Sequence, residues 1–316
     1  MQKVVVLNGD VVNYDGQLDW HTLAGDVTVY GSTAEDEILA RVAGKTVVVT
    51  KEMPLPGALV RQFPASVKMV VEAGTGYNNH DTAALSAKGI TLTNIPAYST
   101  QRVAHTAIML MLNLASSMQQ QLRMLERGDH RNFSEHLMVP HMELNGKTLG
   151  VVGFGHIGRE IIKVAQALSM NILVATRTKR ADRDGIHFTT LSDLLANSDF
   201  VSLNLPLTSA TRHMINADTL AAMKPSAFLI NTARGGLVDE SALVAALQSG
   251  VIAGAGLDVQ EVEPLPDDSP LFDLPNVIVT PHMGWRGLET RQRLVDMVAA
   301  NIKAFADGAP INVVAK

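Results

Sequence analysis

Short runs rich in β-branched residues alternate with stretches of helical periodicity along almost the whole chain of 316 residues. A strand, a helix and a second strand in succession place the two strands parallel, because the helix carries the chain back across the sheet. The alternation therefore predicts an α/β fold whose parallel sheets are covered by helices on both faces. Before residue 100 the predicted strands are Lys3–Asn8, Asp26–Tyr30, Lys45–Thr50, Val67–Ala73 and Ile90–Asn94.

Helices are predicted between these strands and beyond them. One opens at Ser32, whose hydroxyl can cap the first amides, with acids in the first turn. A long helix is predicted from Thr100 to Arg127, with Gly128 as its stop, and a final helix over about Leu288–Ala306. A second series of six strands follows the long helix, as in a complete dinucleotide-binding domain. Its strands are near Thr148–Val152, Ile172–Thr176, Asp199–Leu203, Ala227–Thr232, Ala253–Val259 and Asn276–Thr280.

Composition excludes several classes of protein. The chain has no cysteine, which rules out disulfides and thiolate metal sites and fits a cytoplasmic location. A net charge of -5 argues against a general nucleic-acid binder. The longest apolar stretch, around Ala107–Leu112, stops at Asn113, so no membrane span is expected. The length predicts two domains.

The most informative motif is the glycine-rich turn GFGHIG, which follows a predicted strand and opens a predicted helix. Gly153 permits the tight turn, Gly155 lets the backbone approach a pyrophosphate, and Gly158 lets helix and strand pack closely. The helix N-terminus adds amide donors and a partial positive charge. The residues predicted to contact a dinucleotide here are Gly153, Phe154, Gly155, His156, Ile157 and Gly158.

No acidic residue ends the strand after this helix, although an acid there accepts hydrogen bonds from the ribose of NAD. Thr176 stands in its place within LVATRTKR, and this removes the repulsion that an acid would exert on the 2′-phosphate of NADP. Well-placed cations form charge-assisted hydrogen bonds worth about 1.5–3 kcal/mol each. We predict a preference for NADP, with Arg177 as the main contact; the alternative is a basic solvated loop. The predicted contacts are Thr176, Arg177, Thr178, Lys179 and Arg180.

Three polar residues follow the ends of later predicted strands, where ligands of open α/β sheets collect. They are Arg234 in INTARGGLVDE, Glu263 in AGAGLDVQEVEPLP and His282 in VIVTPHMGW. Hydride transfer to a 2-oxo acid needs a cation for the carboxylate and ketone, an acid that protonates the developing alkoxide, and a group that keeps this acid charged.

Each of the three residue types suits one of these tasks. The planar fork of Arg234 matches a carboxylate and its adjacent carbonyl. The imidazole of His282 changes charge near neutral pH, and the carboxylate of Glu263 can orient that ring and favour its charged form. Taken singly, Arg234 could only cap a turn, Glu263 could be a solvated acid and His282 a core histidine.

Motifs in order along nearly the whole chain resemble the D-isomer-specific 2-hydroxyacid dehydrogenase family. The matching segments are EAGTGYNNHD, NIPAYST, GKTLGVVGFGHIGRE, LPLTSATRHMI, MKPSAFLINTARGGLVDE, AGAGLDVQEVEPLP and VTPHMGW. The resemblance implies the roles argued above for Arg234, Glu263 and His282. It also implies that the amides of Thr75 and Gly76 hold the substrate carboxylate. Further positions that it places along the cofactor are Pro206, Thr232, Ala233, Asp258 and Gly284.

The resemblance also implies the architecture, two doubly wound parallel-sheet domains with a Rossmann cofactor domain inserted into a flavodoxin-like substrate domain. The substrate domain is expected at residues 1–100 and 285–316, and the cofactor domain, with a dimerisation helix and arm, at 101–284. Members close on ligands by hinge motion, here near Ser99 and Gly284. They are typically homodimers through the cofactor domain.

Trp285 and the segment LETRQRLVDMVAANIKAF resemble the glycerate dehydrogenase/hydroxypyruvate (glyoxylate) reductase branch. Trp285 is expected either to form a wall of the substrate pocket or to pack at the domain junction. The expected reaction is reduction of hydroxypyruvate or glyoxylate with NADP(H), and the alternative is a phosphoglycerate or other D-2-hydroxyacid dehydrogenase that uses NAD. A formate dehydrogenase is disfavoured, because that branch has glutamine in place of Glu263.

A different class remains open, a dinucleotide-sensing binding protein, which the short termini disfavour. Asn204 departs from the family, in which histidine is frequent at that position. The histidines of the arm, His130, His136 and His141, fit no standard metal-site spacing, so no metal is expected. The expected partners are a small 2-oxo or 2-hydroxy acid and a second copy of the chain.

Overall fold

A computed structural model describes residues 1–23, 25–178 and 180–316. The chain divides into two compact units, which we call the split unit and the inserted unit. The split unit consists of Met1–Ser99 and Trp285–Lys316, and the inserted unit is Thr100–Gly284. Of the residues with a predicted role, Lys179 lies outside the described part of the chain.

The secondary structure follows the predicted alternation. Residues 1–99 contain β1 (Lys3–Val6), β2 (Asp26–Val29), α1 (Ile38–Val42), β3 (Val47–Thr50), α2 (Gly57–Val60), β4 (Met69–Glu72), α3 (Thr82–Ala87) and β5 (Thr91–Thr93). Residues 100–284 contain α4 (Thr100–Ala115), α5 (Met118–Glu126), α6 (Arg131–Ser134), β6 (Thr148–Val152), α7 (His156–Ala167), β7 (Asn171–Ala175), β8 (Ile186–Thr189), α8 (Leu191–Asn197), β9 (Phe200–Leu203), α9 (Ala217–Ala221), β10 (Phe228–Asn231), α10 (Glu240–Ser249), β11 (Gly254–Leu257) and β12 (Val277–Val279). Residues 285–316 contain α11 (Leu288–Ala306) and β13 (Val313–Ala315).

The split unit is built on one sheet with the order β13-β5-β4-β3-β1-β2. The strands β1 to β5 are parallel and follow the flavodoxin-like order. The strand β13, which pairs antiparallel with β5 at the edge, was not predicted from the sequence. The sheet is buried on both faces, since Val4 and Val6 pack in one apolar cluster and Val5 and Leu7 in the other. This explains the nearly continuous runs of valine.

The inserted unit has a parallel sheet with the order β12-β11-β10-β9-β6-β7-β8. From β8 to β11 this is the order of a Rossmann domain, so the predicted fold class is confirmed. The prediction of six strands was wrong, because it missed β8, a short edge strand that pairs parallel with β7. Asp182, in the loop before it, accepts from the Phe188 amide of this strand at 2.8 Å. Only one of the four residues of β8 is buried, so the strand carries little hydrophobic signal in the sequence.

The long helix predicted from Thr100 to Arg127 is also corrected, because α4 and α5 are separate. Ser117 between them has a φ of 47°, in the left-handed region that interrupts a helix. Its hydroxyl donates to the Pro140 carbonyl at 2.6 Å, and the Met142 amide donates to the Ala115 carbonyl at 3.0 Å. The break is therefore stabilised by a segment distant in sequence.

The predicted cap at Ser32 was wrong as well. The first helical turn begins after Ala34, whose amide donates to the Glu37 carboxylate at 2.9 Å. A glutamate three residues into the helix thus satisfies the amide by reaching back to it. Within the described residues, no helix combines the length and hydropathy needed to cross a membrane.

Candidate active site

The glycine turn of the inserted unit joins β6 to α7. Gly153 has a φ of 100°, and a Cβ there would lie 2.3 Å from the Asn204 carbonyl oxygen. A Cβ at Gly158 would lie 2.6 Å from the Gly153 carbonyl oxygen, so both positions require glycine. Around Gly155, in contrast, no described atom lies within 4 Å of the Cβ position. The turn is closed on its protein side and open at Gly155, where a ligand can approach the backbone.

The first turn of α7 has no side-chain cap, since Gly155 is its N-cap residue. Its amide groups therefore remain available to an anion, and the helix dipole adds to the attraction. Phe154 packs edge-on against Phe188, with ring centroids 5.2 Å apart. The exposed His156 accepts at Nδ1 from Arg159 Nη2, 3.2 Å away.

The end of β7 carries no acid, and Thr176 donates there to the Thr178 carbonyl at 2.6 Å. Three guanidinium groups surround the ring of Phe154 instead. The guanidinium carbons of Arg159, Arg180 and Arg183 lie 5.8, 5.5 and 5.4 Å from its centroid. We call these three residues the arginine cluster. Arg159 and Arg183 were not predicted from the sequence, although Arg159 directly follows the last glycine of the motif.

Further along the sheet, two buried polar atoms have no hydrogen-bond partner among the described residues. They are Asn204 Oδ1, after β9, and Thr232 Oγ1, after β10. An unpaired buried polar group costs about 1–3 kcal/mol, so such atoms indicate a place where a polar ligand completes the structure. Thr232 was predicted to line the cofactor, and Asn204 was noted only as a departure.

Glu263 and His282 are brought together by the loops after β11 and β12. His282 Nδ1 lies 2.8 Å from Glu263 Oε2, and both side chains are half-buried. The other oxygen of Glu263 accepts from the Gln260 amide at 3.0 Å. The Gln260 side chain also donates to the carbonyls of Leu257 and Thr280, both at 3.3 Å. Gln260, which the sequence analysis did not single out, thus ties the two loops together.

The backbone of His282 is itself unusual, with a φ of 49° in the left-handed region. Asp258 holds the surrounding loop, because its carboxylate accepts from Thr280 Oγ1 at 2.6 Å and from the amides of Met283 and Gly284 at 2.9 and 2.8 Å. Asp258 is buried at 1% exposure. The geometry shows that Asp258 supports the His282 loop, and its predicted place along the cofactor stays a prediction.

Arg234 lies in the loop after β10. Its guanidinium donates to the Ala233 carbonyl at 2.6 Å, and its own carbonyl accepts from the Asn231 side chain at 2.9 Å. The next residue, Gly235, packs so closely that a Cβ would lie 1.8 Å from the Gln260 carbonyl oxygen. The Arg234 loop therefore abuts the loop of Glu263, but no direct contact joins Arg234 to His282 within the described chain.

The remaining predicted site residues occupy both units. Pro206, Ala233 and Gly284 are at the ends of β9, β10 and β12 in the inserted unit. Thr75 and Gly76 follow β4 in the split unit, and Trp285 is buried in that unit's core with Lys51 Nζ 4.2 Å from the centre of its ring. No group of three or more His, Cys, Asp or Glu side chains in the described chain could hold a metal ion.

The open Gly155, the uncapped α7, the unpaired Thr232 and Asn204, and the arginine cluster all fit a dinucleotide. Fold and site together define a two-unit dinucleotide-binding protein of the α/β class. Residues 108–284 match the family model described as "D-isomer specific 2-hydroxyacid dehydrogenase, NAD binding domain", and the chain belongs to this family.

Known relatives cover the chain almost completely. A hydroxypyruvate reductase of Blautia hydrogenotrophica is 35% identical over 99% of this chain and 100% of its own. A glycerate dehydrogenase of Methylorubrum extorquens is 39% identical over 99% of each. The crystal structure of an NADPH-dependent glyoxylate/hydroxypyruvate reductase of Sinorhizobium meliloti, in complex with citrate, superposes with a TM-score of 0.85 at 32% identity, covering 100% of this chain and 98% of that one.

These matches confirm the predicted family and the predicted class of enzyme. The protein is an NAD(P)-dependent D-2-hydroxyacid dehydrogenase, in which the inserted unit is the cofactor domain and the split unit the substrate domain.

Proposed function

We propose that the enzyme reduces hydroxypyruvate or glyoxylate to the corresponding 2-hydroxy acid, with NADPH as the preferred cofactor. The names of the relatives support this substrate class. The observation that carries the proposal is the 2.8 Å contact between His282 Nδ1 and Glu263 Oε2 beside the Arg234 loop. A carboxylate, an imidazole and a guanidinium are the three groups that reduction of a 2-oxo acid requires.

The three groups have different tasks in the proposed mechanism. Because Glu263 occupies Nδ1 of His282, the other ring nitrogen, Nε2, delivers the proton to the developing alkoxide. Glu263 orients the ring, and Gln260 in turn fixes Glu263. Arg234 binds the substrate carboxylate and polarises the ketone. The nicotinamide ring, when bound, supplies the hydride. Asp258 positions the loop that carries His282.

The amides of Thr75 and Gly76, in the substrate domain, are proposed to bind the substrate carboxylate. The loop carbonyls are already engaged, since Asn94 Nδ2 donates to the Thr75 carbonyl at 2.7 Å and the Ile95 amide to the Gly74 carbonyl at 2.9 Å. The amides of Thr75 and Gly76 donate to no group in the described chain. Within the described chain the loop therefore offers two unpaired amide donors while two of its carbonyls are engaged, and this suits an anion.

The preference for NADPH is proposed from the region around Phe154. Three positive charges lie within 6 Å of one ring, and a 2′-phosphate would relieve their mutual repulsion. Of the two acids of this loop, Asp182 and Asp184, the first is engaged elsewhere, because it accepts from the Phe188 amide and pairs with His187. These contacts lower the pKa of Asp182, the Phe188 hydrogen bond most strongly. Arg177 is exposed in the loop after β7 and adds a further positive charge to this region.

The first experiment is therefore the ratio of kcat/KM for NADPH to kcat/KM for NADH, with saturating hydroxypyruvate. We expect a strong NADPH preference that falls about 10- to 100-fold in Arg180→Gln, because one charge-assisted hydrogen bond to the phosphate is lost. Arg177→Asp should reverse the preference by repelling the phosphate. The kcat/KM for NADH should change little in Arg180→Gln.

Lys163→Gln is the matched control, because Lys163 is an exposed cation on α7 that pairs with Glu160. A wild-type ratio near one would refute the cofactor preference and leave the dehydrogenase assignment intact. If neither hydroxypyruvate nor glyoxylate is reduced with either cofactor, the proposed substrate class is wrong.

We also propose that the enzyme is a homodimer through the cofactor domain. An exposed apolar stripe runs along α5 at helical spacing, formed by Met118, Leu122 and Leu125. Leu122 is 51% exposed, and Phe133 in the adjoining arm is 80% exposed. Exposed apolar surface of this extent indicates an interface, and a second copy of the chain would bury it.

Leu122→Glu should therefore convert the dimer to a monomer, because a charge in the interface centre must be desolvated. Sedimentation velocity at micromolar protein concentration measures the change. Ile311→Glu, at an exposed apolar position of the substrate domain, is the control and should leave the dimer intact. A monomeric wild type, or a dimer that persists in Leu122→Glu, would contradict the proposed interface.

A further inference from the structure

Glu72 is a fully buried carboxylate that the proposed mechanism does not use. It ends β4, three residues before Thr75, and its side chain is 0% exposed. Burying a carboxylate is costly unless several donors satisfy it. The donors that surround Glu72 therefore show what the residue holds in place.

Four donors converge on this carboxylate from two loops. Oε1 accepts from the Glu52 amide at 3.0 Å, and Oε2 accepts from Thr50 Oγ1 at 3.3 Å. His80 Nε2 lies 3.0 Å from Oε2, and Asn79 Nδ2 donates to it at 3.4 Å. Since a carboxylate only accepts, Nε2 of His80 carries the proton. Glu72 thus joins the end of β3 to the far end of the loop after β4.

The loop between these anchors contains Thr75 and Gly76. Its near end is tied by the Ala73 amide, which donates to the Thr50 carbonyl at 2.7 Å. Its far end is tied to Glu72 through Asn79 and His80. The amides proposed to bind the substrate carboxylate therefore lie between two segments that contact Glu72, directly or through Thr50. Asn94 and Ile95 also hold this loop, through the carbonyls of Thr75 and Gly74.

The charge of Glu72 cannot explain this placement, because a negative group near an anion site opposes binding. Lys51 offsets part of that charge, with Nζ 2.5 Å from Glu52 Oε1. A Cβ at Gly74 would lie 3.0 Å from Glu72 Oε1 and 3.2 Å from Lys51 Nζ, so both charges reach the loop backbone. Burial by itself would lower the pKa of Lys51, but the charges of Tyr98, Glu52 and Glu72 outweigh burial and raise that pKa. One ammonium still faces two carboxylates.

We propose that Glu72 is a positioning residue for substrate binding, whose carboxylate holds the loop so that the amides of Thr75 and Gly76 point at the substrate carboxylate. The inference rests on the proposed role of those two amides. A positioning role and a purely electrostatic role of Glu72 predict opposite changes in anion binding. Removing the charge of Glu72 while keeping its size would strengthen anion binding by electrostatics, but weakens it if Glu72 positions the loop.

Glu72→Gln is the deciding variant, because its amide group cannot accept at both ends. We expect the KM for hydroxypyruvate to rise about tenfold or more, as for a lost hydrogen-bonded contact. The dissociation constant of oxalate, a dicarboxylate that is not reduced, should rise in parallel in calorimetry of the NADPH complex. The kcat and the dissociation constant of NADPH alone should stay within about twofold, because the cofactor domain is untouched.

Glu52→Gln is the charge-matched control, since it removes a neighbouring carboxylate but keeps the backbone amide that donates to Glu72; it should not raise either constant. Thr50→Val deletes one donor to Glu72 at nearly constant volume. It should raise the KM for hydroxypyruvate and the dissociation constant of oxalate, but less than Glu72→Gln does. If Glu72→Gln does not fold, Thr50→Val is the variant that tests the inference. Unchanged or lowered constants in the folded variants would overturn the inference. If the proposed function is wrong, the wild-type protein will reduce neither hydroxypyruvate nor glyoxylate. The oxalate measurement still tests the role of Glu72 in that case.

Discussion

Replacing His282 with alanine is expected to lower kcat for hydroxypyruvate reduction by about 10²–10⁴-fold, the usual contribution of a general acid. The imidazole is held by Glu263 at 2.8 Å and by a loop whose amides bond to Asp258. Alanine removes the proton donor while the Asp258 contacts, which are made by the neighbouring backbone, remain. Stopped-flow measurement of NADPH oxidation in a single turnover isolates this step.

Cofactor binding provides the control for this variant. NADPH affinity, followed by fluorescence titration, should be unchanged, because the glycine turn and the arginine cluster lie at other strand ends. Glu263→Gln should show a smaller loss of kcat, since glutamine can still orient the ring but cannot favour its charged form. A His282→Ala variant with full turnover would remove His282 from the proposed mechanism. Wild-type protein that binds NADPH but reduces no 2-oxo acid would instead favour the dinucleotide-sensing alternative.

Replacing Arg234 with methionine is expected to lower kcat/KM for hydroxypyruvate by about 10²–10³-fold or more, the scale for losing one preorganised donor at a developing oxyanion. Methionine approximates the length of the side chain and removes both its charge and its planar donors. KM should rise and kcat should fall together, because the guanidinium is proposed to act on both the carboxylate and the ketone. Steady-state kinetics with hydroxypyruvate and glyoxylate measures both constants.

Arg234→Lys separates the effect of the positive charge of Arg234 from the effect of its planar arrangement of donors. Lysine keeps the positive charge but lacks the fork that matches a carboxylate and its adjacent carbonyl. We expect it to recover little of the lost kcat/KM. Recovery close to the wild-type value would show that a point charge suffices, and an Arg234→Met variant with unchanged kinetics would exclude Arg234 from the substrate site. Unchanged NADPH affinity in both variants shows that the cofactor domain is intact.

Sequence periodicity predicted most of this fold. Most of the strands that it predicted are buried, so hydrophobic runs such as Val47–Thr50 were evident in the sequence. The strands that it missed, β8 and β13, lie at sheet edges and are mostly exposed or half-buried, whereas the edge strands β2 and β12 were predicted from their runs DVTV and VIV. The break at Ser117 was missed because the Pro140 carbonyl that holds its side chain is 23 residues away in the chain.

In the candidate site, too, features that depend on local sequence were predicted, and contacts between distant segments were not. Gly153 and Gly158 were predicted because a tight turn and a close helix contact admit no side chain, and this requirement is local. The arginine cluster was only partly predicted, since Arg159 comes from α7 and Arg183 from the loop before β8, and they meet only around Phe154. Gln260 and Glu72 lie in motifs that match the family, but the sequence assigned neither a role, because the role of each depends on partners from several strands.

By itself, the sequence determined the α/β class, the dinucleotide turn and the family, because these depend on local backbone requirements and on hydrophobic periodicity. Only the tertiary structure decided that Glu263 meets His282, that Asp258 supports their loop and that Glu72 spans two loops of the substrate domain. The physical reason is that these contacts join residues from different strand ends. Their distances depend on how the strands order and twist in the sheet, which no short stretch of sequence encodes.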